Sequence, residues 1–161
     1  MKTILLATDG SPSAQLATDE AIEIAAATGW PLRIVTTWNR PIVTGYGYAA
    51  YPLPAELAKA EREHAQAVAA AAVTKAGEAG VSATFELREG LPAEEICAAA
   101  AETTSTLIVI GAHGWGAVKR LLFGSVSTHV MHAAHCPVLV VRAEETPLDS
   151  EPERAAAGVG A

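Results

Sequence analysis

Gly111-Ala112-His113-Gly114, a spacer of nine residues and then Gly124-Ser125 form the segment best suited to chemistry. A strand-like run, Leu107 to Ile110, feeds into Gly111, and a helix-like run, Val126 to Ala134, leaves after Ser125. Backbone N–H groups at the start of a helix lack intrahelical partners, and the helix dipole favours negative charge there, so this is a place for phosphate. Ser125 can cap the helix or offer its hydroxyl, and Val126 and Ser127 add first-turn N–H donors. Gly111 and Gly114 are expected to admit a ligand close to the backbone and to permit positive φ. The segment is not a Walker loop, since G-x-x-x-x-G-K-[ST] is missing and Lys119-Arg120 fall inside the spacer. Nor is it G-x-G-x-x-G, because Gly114-Trp115-Gly116 has no third glycine. Lys119 and Arg120 either reach phosphates or stand as solvated charges, and His113 either acts as a base or packs against a ligand. The residues alone leave both pairs open.

The elements that must position this segment alternate along the chain. Thr3 to Thr8 is an unbroken apolar run, as in strands buried on both faces of a parallel sheet. Asp9-Gly10-Ser11-Pro12-Ser13 is turn and N-cap chemistry, and a helix to about Thr28 follows, with Ala14, Ala17, Ala21, Ile24 and Ala25 on one face and Gly29 as its C′ residue. Leu32 to Thr37 reads as the second strand. Trp38 to Pro54 has no period and is either a functional loop or an ordinary insertion. Glu56 to Glu78 reads as an Ala-rich helix with Leu57, Ala60, His64, Ala67, Val68 and Ala71 near one face, His64 being a packed or rim residue. Val81 to Leu87 alternates as a half-exposed edge strand. Pro92 opens a helix to about Thr103, with Glu94 and Glu95 at its positive end. Thr106 to Ile110 and Pro137 to Val141 are the last strands.

Strict β-α alternation predicts a doubly wound, Rossmann-like α/β fold: a five-stranded parallel sheet in the order 3-2-1-4-5 with helices on both faces. Ligands in such sheets bind beyond the carboxyl ends of the strands where the winding reverses, here between the first and fourth strands. Asp9 ends the first and Gly111 the fourth, so two sequence-distant loops converge on one crevice.

Of 161 residues, half are hydrophobic, which suits one domain over residues 1–142. After Arg142 the chain is acidic, Pro- and Ala-rich and aperiodic, so residues 143–161 are expected to be a disordered tail. Lys and Arg total 11 against 18 Asp and Glu, a formal charge of −7, which argues against nucleic acid or anionic membrane as partner. No apolar run reaches the roughly 20 residues of a membrane span, and Asp9 interrupts the opening run before it could be a signal peptide. Cys97 and Cys136 are read as small core residues in a reducing cytosol, not as a disulfide. His129, His132, His135 and Cys136 have a zinc-like spacing, but no second ligand pair accompanies them.

The glycine pattern resembles the ATP-binding motif of the universal stress protein family. Asp9 lies in an opening Ala7-Thr8-Asp9-Gly10-Ser11 similar to that family's first turn, Gly90 to Ile96 is similar to its stretch before the third helix, and His135 to Val141 to its last strand. The resemblance covers about residues 2–142. It implies that Asp9 lies near the ribose or adenosine with the backbone at Ala7, and that Thr37 meets adenine through its backbone, where the family often has valine. Ile110, Gly111, His113 and Gly114 would line the ribose and phosphate side, and Gly124, Ser125, Val126 and Ser127 would hold the phosphates of ATP. Mg²⁺ or Mn²⁺ would bridge phosphate oxygens, with no metal cage from the protein. The expectation is a cytoplasmic, ATP-binding stress-response switch that hydrolyses slowly or not at all. It would form a homodimer through the last strand and act on a protein partner that the sequence does not name. The alternatives are a nucleotide-hydrolysing, phosphoryl- or nucleotidyl-transferring enzyme using His113 or Lys119, and a protein–protein module without nucleotide.

Overall fold

Residues that alternate within unbroken apolar runs build two cores, one on each side of a sheet. The computed structural model describes residues 2–39, 42–44, 50–52, 55–103, 105–115 and 123–142. The elements are β1 (Ile4–Ala7), α1 (Pro12–Thr28), β2 (Leu32–Trp38), β3 (Ile42–Thr44), β4 (Ala50–Pro52), α2 (Ala55–Glu78), β5 (Ala83–Glu89), α3 (Pro92–Glu102), β6 (Leu107–Gly111), α4 (Ser125–Ala133) and β7 (Val138–Val141). The main sheet runs β5-β2-β1-β6-β7, all parallel, which is 3-2-1-4-5 when its five strands are counted along the chain. Ile4, Leu6, Leu32, Ile34 and Val109 pack beneath α1 and α2, while Leu5, Ala7, Val35, Ile108 and Ile110 pack beneath α3 and α4. The sheet is thus covered on both faces, as the continuous hydrophobic strands require.

The helix ends follow from local chemistry. Ser11 caps α1 by accepting from the Ala14 N–H at 3.4 Å, Pro12 fills the first turn, and Gly29 at φ 68° closes the far end. Gly80 at φ 73° closes α2, with Val81 N–H donating to Ala76 O and Gly80 N–H to Gly77 O, the paired bonds of a Schellman motif. That closure corrects the third strand: Val81 is buried as part of the α2 terminus, so β5 starts at Ala83 and runs to Glu89. It is the edge strand expected.

Two further expectations change. The buried face of α2 is Ala65, Ala69, Ala72 and Ala76, whereas Leu57, Ala60, His64, Ala67 and Ala71 are exposed. Alanine occurs on every side of this helix, so apolar spacing does not mark which side packs. The aperiodic stretch from Trp38 also holds structure: β2 includes Trp38, and β3 pairs antiparallel with β4. The remainder of that stretch, the spacer with Lys119 and Arg120, and the tail 143–161 lie outside the described residues. Cys97 and Cys136 are free, half-buried thiols packed against the α3–α4 core, and burial pushes both thiols up from their ordinary pKa.

Thr36 stands two residues beyond Ile34 on the α1–α2 side of β2, 2% exposed, and its Oγ1 has no hydrogen-bond partner among the described residues. A buried unmatched hydroxyl costs about 1–3 kcal/mol. Thr36→Val is therefore expected to raise the urea midpoint, by an amount equivalent to about 1 kcal/mol, and a fall in the midpoint would show that the hydroxyl is satisfied.

Candidate functional site

The carboxyl ends of β1, β2 and β6 and the first turns of α1, α3 and α4 enclose one cavity of about 460 Å³, within the usual range for small-molecule sites. The residues expected to bind a nucleotide line it: Ala7, Asp9, Thr37, Ile110, Gly111, His113, Gly114, Gly124, Ser125, Val126 and Ser127. Its two sides differ in chemistry. On the β2–α3 side stand Val35, Pro92 and Ile96, with Thr37 beside them. On the other side is the start of α4, where Gly124 is the N-cap and no side chain caps the helix. The first turn of α4 carries no acid, in contrast to Glu94 and Glu95 in the first turn of α3. The positive end of α4 is thus left for an anion.

The β1–α1 turn and the start of α1 are bound tightly to the loop after β6. His113 N–H donates to Ser13 Oγ at 3.1 Å, and the hydroxyls of Ser13 and Ser11 both donate to His113 O, the latter at 3.2 Å. Trp115 Nε1 donates to Asp9 O at 2.9 Å. Asp9 Oδ1 accepts the Ser11 N–H at 2.9 Å, an Asx turn that fixes the carboxylate. At the α4 entrance Gly124 N–H donates to Ala112 O at 2.7 Å, and Ser127 Oγ lies 2.8 Å from the same oxygen.

This geometry corrects the expected roles of several residues. Neither Gly111, Gly114 nor Gly124 has positive φ; in this region Gly10 does, at 75°. A Cβ on Gly111 would lie 2.6 Å from Ser13 Oγ and 2.7 Å from Ala14 N, so Gly111 lets α1 approach β6. A Cβ on Gly114 would lie 2.7 Å from Asp9 Oδ2, so Gly114 makes room for that carboxylate. Gly124, at φ −76°, is not required by its conformation, and a Cβ there would meet Ala112 O at 3.3 Å, a tight contact that a small shift must ease. Ser125 does not cap α4, because Gly124 holds that position, and its hydroxyl is left exposed. Ser127 spends its hydroxyl on the Ala112 and Gly124 carbonyls, leaving its backbone N–H as what it can offer a ligand.

Sequence reasoning missed Thr8, Ala14, Val35, Pro92, Ile96 and Ala112. Val35 was within reach, since it shares a strand face with Thr37 at a spacing of two. Pro92 and Ile96 required knowing that α3 crosses beside β2. His129 and His132 lie exposed on α4, beside a second hollow that Phe123 also lines, while Cys136 packs into the core.

The sequence profile of the Universal stress protein family matches residues 1–142. A universal stress protein of Thermus aquaticus is 40% identical over 142 residues, covering 88% of this chain and 98% of its own. Among solved structures, universal stress protein UspA from Lactobacillus plantarum superposes with a TM-score of 0.74 at 28% identity, covering 88% of this chain and 97% of that one. A universal stress protein in complex with cAMP gives 0.66 at 28% identity, covering 87% and 96%.

The glycines should separate by stability. Gly111→Ala forces its methyl onto the backbone of α1 and is expected to cost about 1–3 kcal/mol, the scale of overpacking. Gly124→Ala, a change of N-cap residue with nearly enough room, is expected to cost less, at most about 1 kcal/mol. Urea denaturation of both variants checks the order, and the reverse order would contradict these packing roles.

Proposed function

This chain belongs to the universal stress protein family, and from that membership we propose that it is a cytoplasmic, ATP-binding switch of the stress response that hydrolyses its nucleotide slowly or not at all. The observation that carries this reading is the two-sided cavity, with an apolar β2–α3 wall suited to a base and an uncapped, acid-free helix start suited to phosphate. Adenine rests between Val35, Pro92 and Ile96, with Thr37 at its edge. The Asp9 carboxylate receives a ribose hydroxyl, with Ala7, Ile110, Gly111, His113 and Gly114 along the sugar. Ser125, Val126 and Ser127 hold the phosphates, chiefly through backbone N–H groups, and Gly124, whose own N–H is donated to Ala112 O, leaves room for their approach. The cAMP bound by one relative supports an adenine nucleotide as the ligand class.

Mg²⁺ or Mn²⁺ fits this donor set as an ion carried by the phosphates. Among the described residues no group of three or more His, Cys, Asp or Glu gathers to hold a metal, and hard divalent ions keep waters and phosphate oxygens as ligands. Bound there, the ion supplies neutralisation of phosphate charge. Slow turnover follows from a cradle of amides and hydroxyls, in a sequence with no Walker lysine. Residues 1–142 form the nucleotide-binding domain and 143–161 an acidic appendage. Among the described residues no helix is long and apolar enough to cross a membrane.

The chain pairs with a second copy through β7. That strand ends the sheet, and Val138, Leu139, Val140 and Val141 on it are only half-buried, an apolar edge of the kind that pairing covers. Nucleotide occupancy changes the dimer or its choice of protein partner.

Calorimetric titration of nucleotide-stripped protein with ATP and Mg²⁺ tests the binding claim. Gly124→Ala is expected to lower affinity about tenfold or more, since a methyl blocks close phosphate approach. Undiminished affinity in that variant would remove the phosphate assignment, and no binding to folded wild type would leave an interaction module without nucleotide. ATP turnover is expected below about 1 per second, the low end of kinase rates; faster turnover would make the protein an enzyme. Light scattering at micromolar concentration should give a dimer, and a monomer would count against β7 pairing.

A further inference from the structure

Helix α3 supplies the wall of the cavity formed by Pro92 and Ile96, yet little in its apolar face fixes where that wall stands. Its buried residues are Ala93, Ile96, Ala99 and Ala100. Three of the four are alanines with shallow ridges, so apart from Ile96 this face sets the distance from a sheet better than it sets rotation or sliding along it.

The fixing comes from charge. Arg88, on β5, donates from Nε to Glu95 Oε2 at 2.9 Å, and its two terminal nitrogens grip Glu102 at 2.9 and 2.7 Å. Its Nη1 also meets Glu86 Oε1 at 3.2 Å. Glu86 passes the network on, its other oxygen accepting from Arg33 Nη2 at 2.6 Å. Arg33 Nη1 then reaches Ala99 O at 2.8 Å and Thr103 Oγ1 at 2.6 Å. The two arginines therefore hold Glu95, Ala99, Glu102 and Thr103, a stripe running from the first turn of α3 to its C-cap. Both are largely covered, with side chains 16% and 18% exposed, so the pairs with the half-buried Glu86 and Glu95 are less screened than ordinary surface ion pairs, whereas Glu102 is 55% exposed and its pair is screened by solvent. Burial opposes the charge on Arg88, but the Glu95 hydrogen bond and the charges of Glu86, Glu102 and Glu95 outweigh it and leave its pKa raised.

Glu95 is the link to the cavity. It precedes Ile96 and lies one turn after Pro92. It also sits against Gly90, where a Cβ would come within 2.8 Å of its Oε1.

We propose that Arg88 is a positioning residue for the base end of the cavity: by holding Glu95 and Glu102 it sets the gap between the Pro92–Ile96 wall and Val35, and with it the fit of a planar base. The inference rests on the nucleotide reading above. Arg88 does not line the cavity and acts only through α3.

The test is calorimetric titration of wild type, Arg88→Gln, Glu95→Gln and the double variant with ATP·Mg²⁺ and with inorganic tripolyphosphate·Mg²⁺. Arg88→Gln should lose about tenfold in ATP affinity while tripolyphosphate affinity stays unchanged, and the double variant should lose no more than Arg88→Gln alone, because the two residues act through one contact; losses that multiply would overturn the proposal. Should Arg88→Gln not fold, Glu95→Gln, which keeps the Arg88–Glu102 grip, carries the same comparison. Unchanged ATP affinity would overturn the proposal. So would a proportional loss for both ligands, which is general damage and not a moved base wall. Wild type that binds neither ligand would fail the nucleotide reading itself, an outcome distinct from either of these.

Discussion

The backbone of His113 is gripped at both its N–H and its carbonyl by the N-cap and first turn of α1. Ser13 accepts from its N–H, and Ser11 and Ser13 donate to its carbonyl. These residues are about a hundred positions apart in the chain, yet they lie at the ends of strands that the apolar pattern forces to be neighbours. Everything at the cavity depends on this clasp. It fixes the turn that carries Gly114, orients Asp9 across that turn, and sets where the chain departs toward Gly124.

The glycines of the motif then take on different physical tasks. Gly111 is a packing residue, present because α1 starts where its Cβ would be. Gly114 yields its space to a carboxylate. Gly124 has an ordinary conformation and almost enough room for a methyl, so what it leaves open is the approach to the first turn of α4. A single spacing pattern thus records three constraints, of which one bears on access to the first turn of α4.

The sheet order and the convergence of Asp9 with Gly111 were legible because strands buried on both faces read as continuous apolar runs, and their alternation with helices leaves few topologies. The buried face of α2 was not, because alanine surrounds that helix. The start of β5 was misplaced because Val81 is equally plausible as a strand residue and as the apolar close of a helix. In the site, the α4 end was legible from glycine and serine beside a helix start. The Val35–Pro92–Ile96 wall was not, since it joins a strand to a helix more than fifty residues later and no local pattern marks it. Nor was the Arg88 network, whose charges look like the solvated face of an edge strand until α3 is laid across them.

We propose that three chain segments distant in sequence form one nucleotide cradle. Amide NMR during titration with ATP·Mg²⁺ tests it most directly. Resonances of Asp9, Thr37, Gly114 and Gly124 through Ser127 are expected to move together with a single affinity, while those along β7 and the buried face of α2 stay still unless the oligomeric state changes. Perturbations confined to other surfaces, or to one loop without the other two, would contradict it.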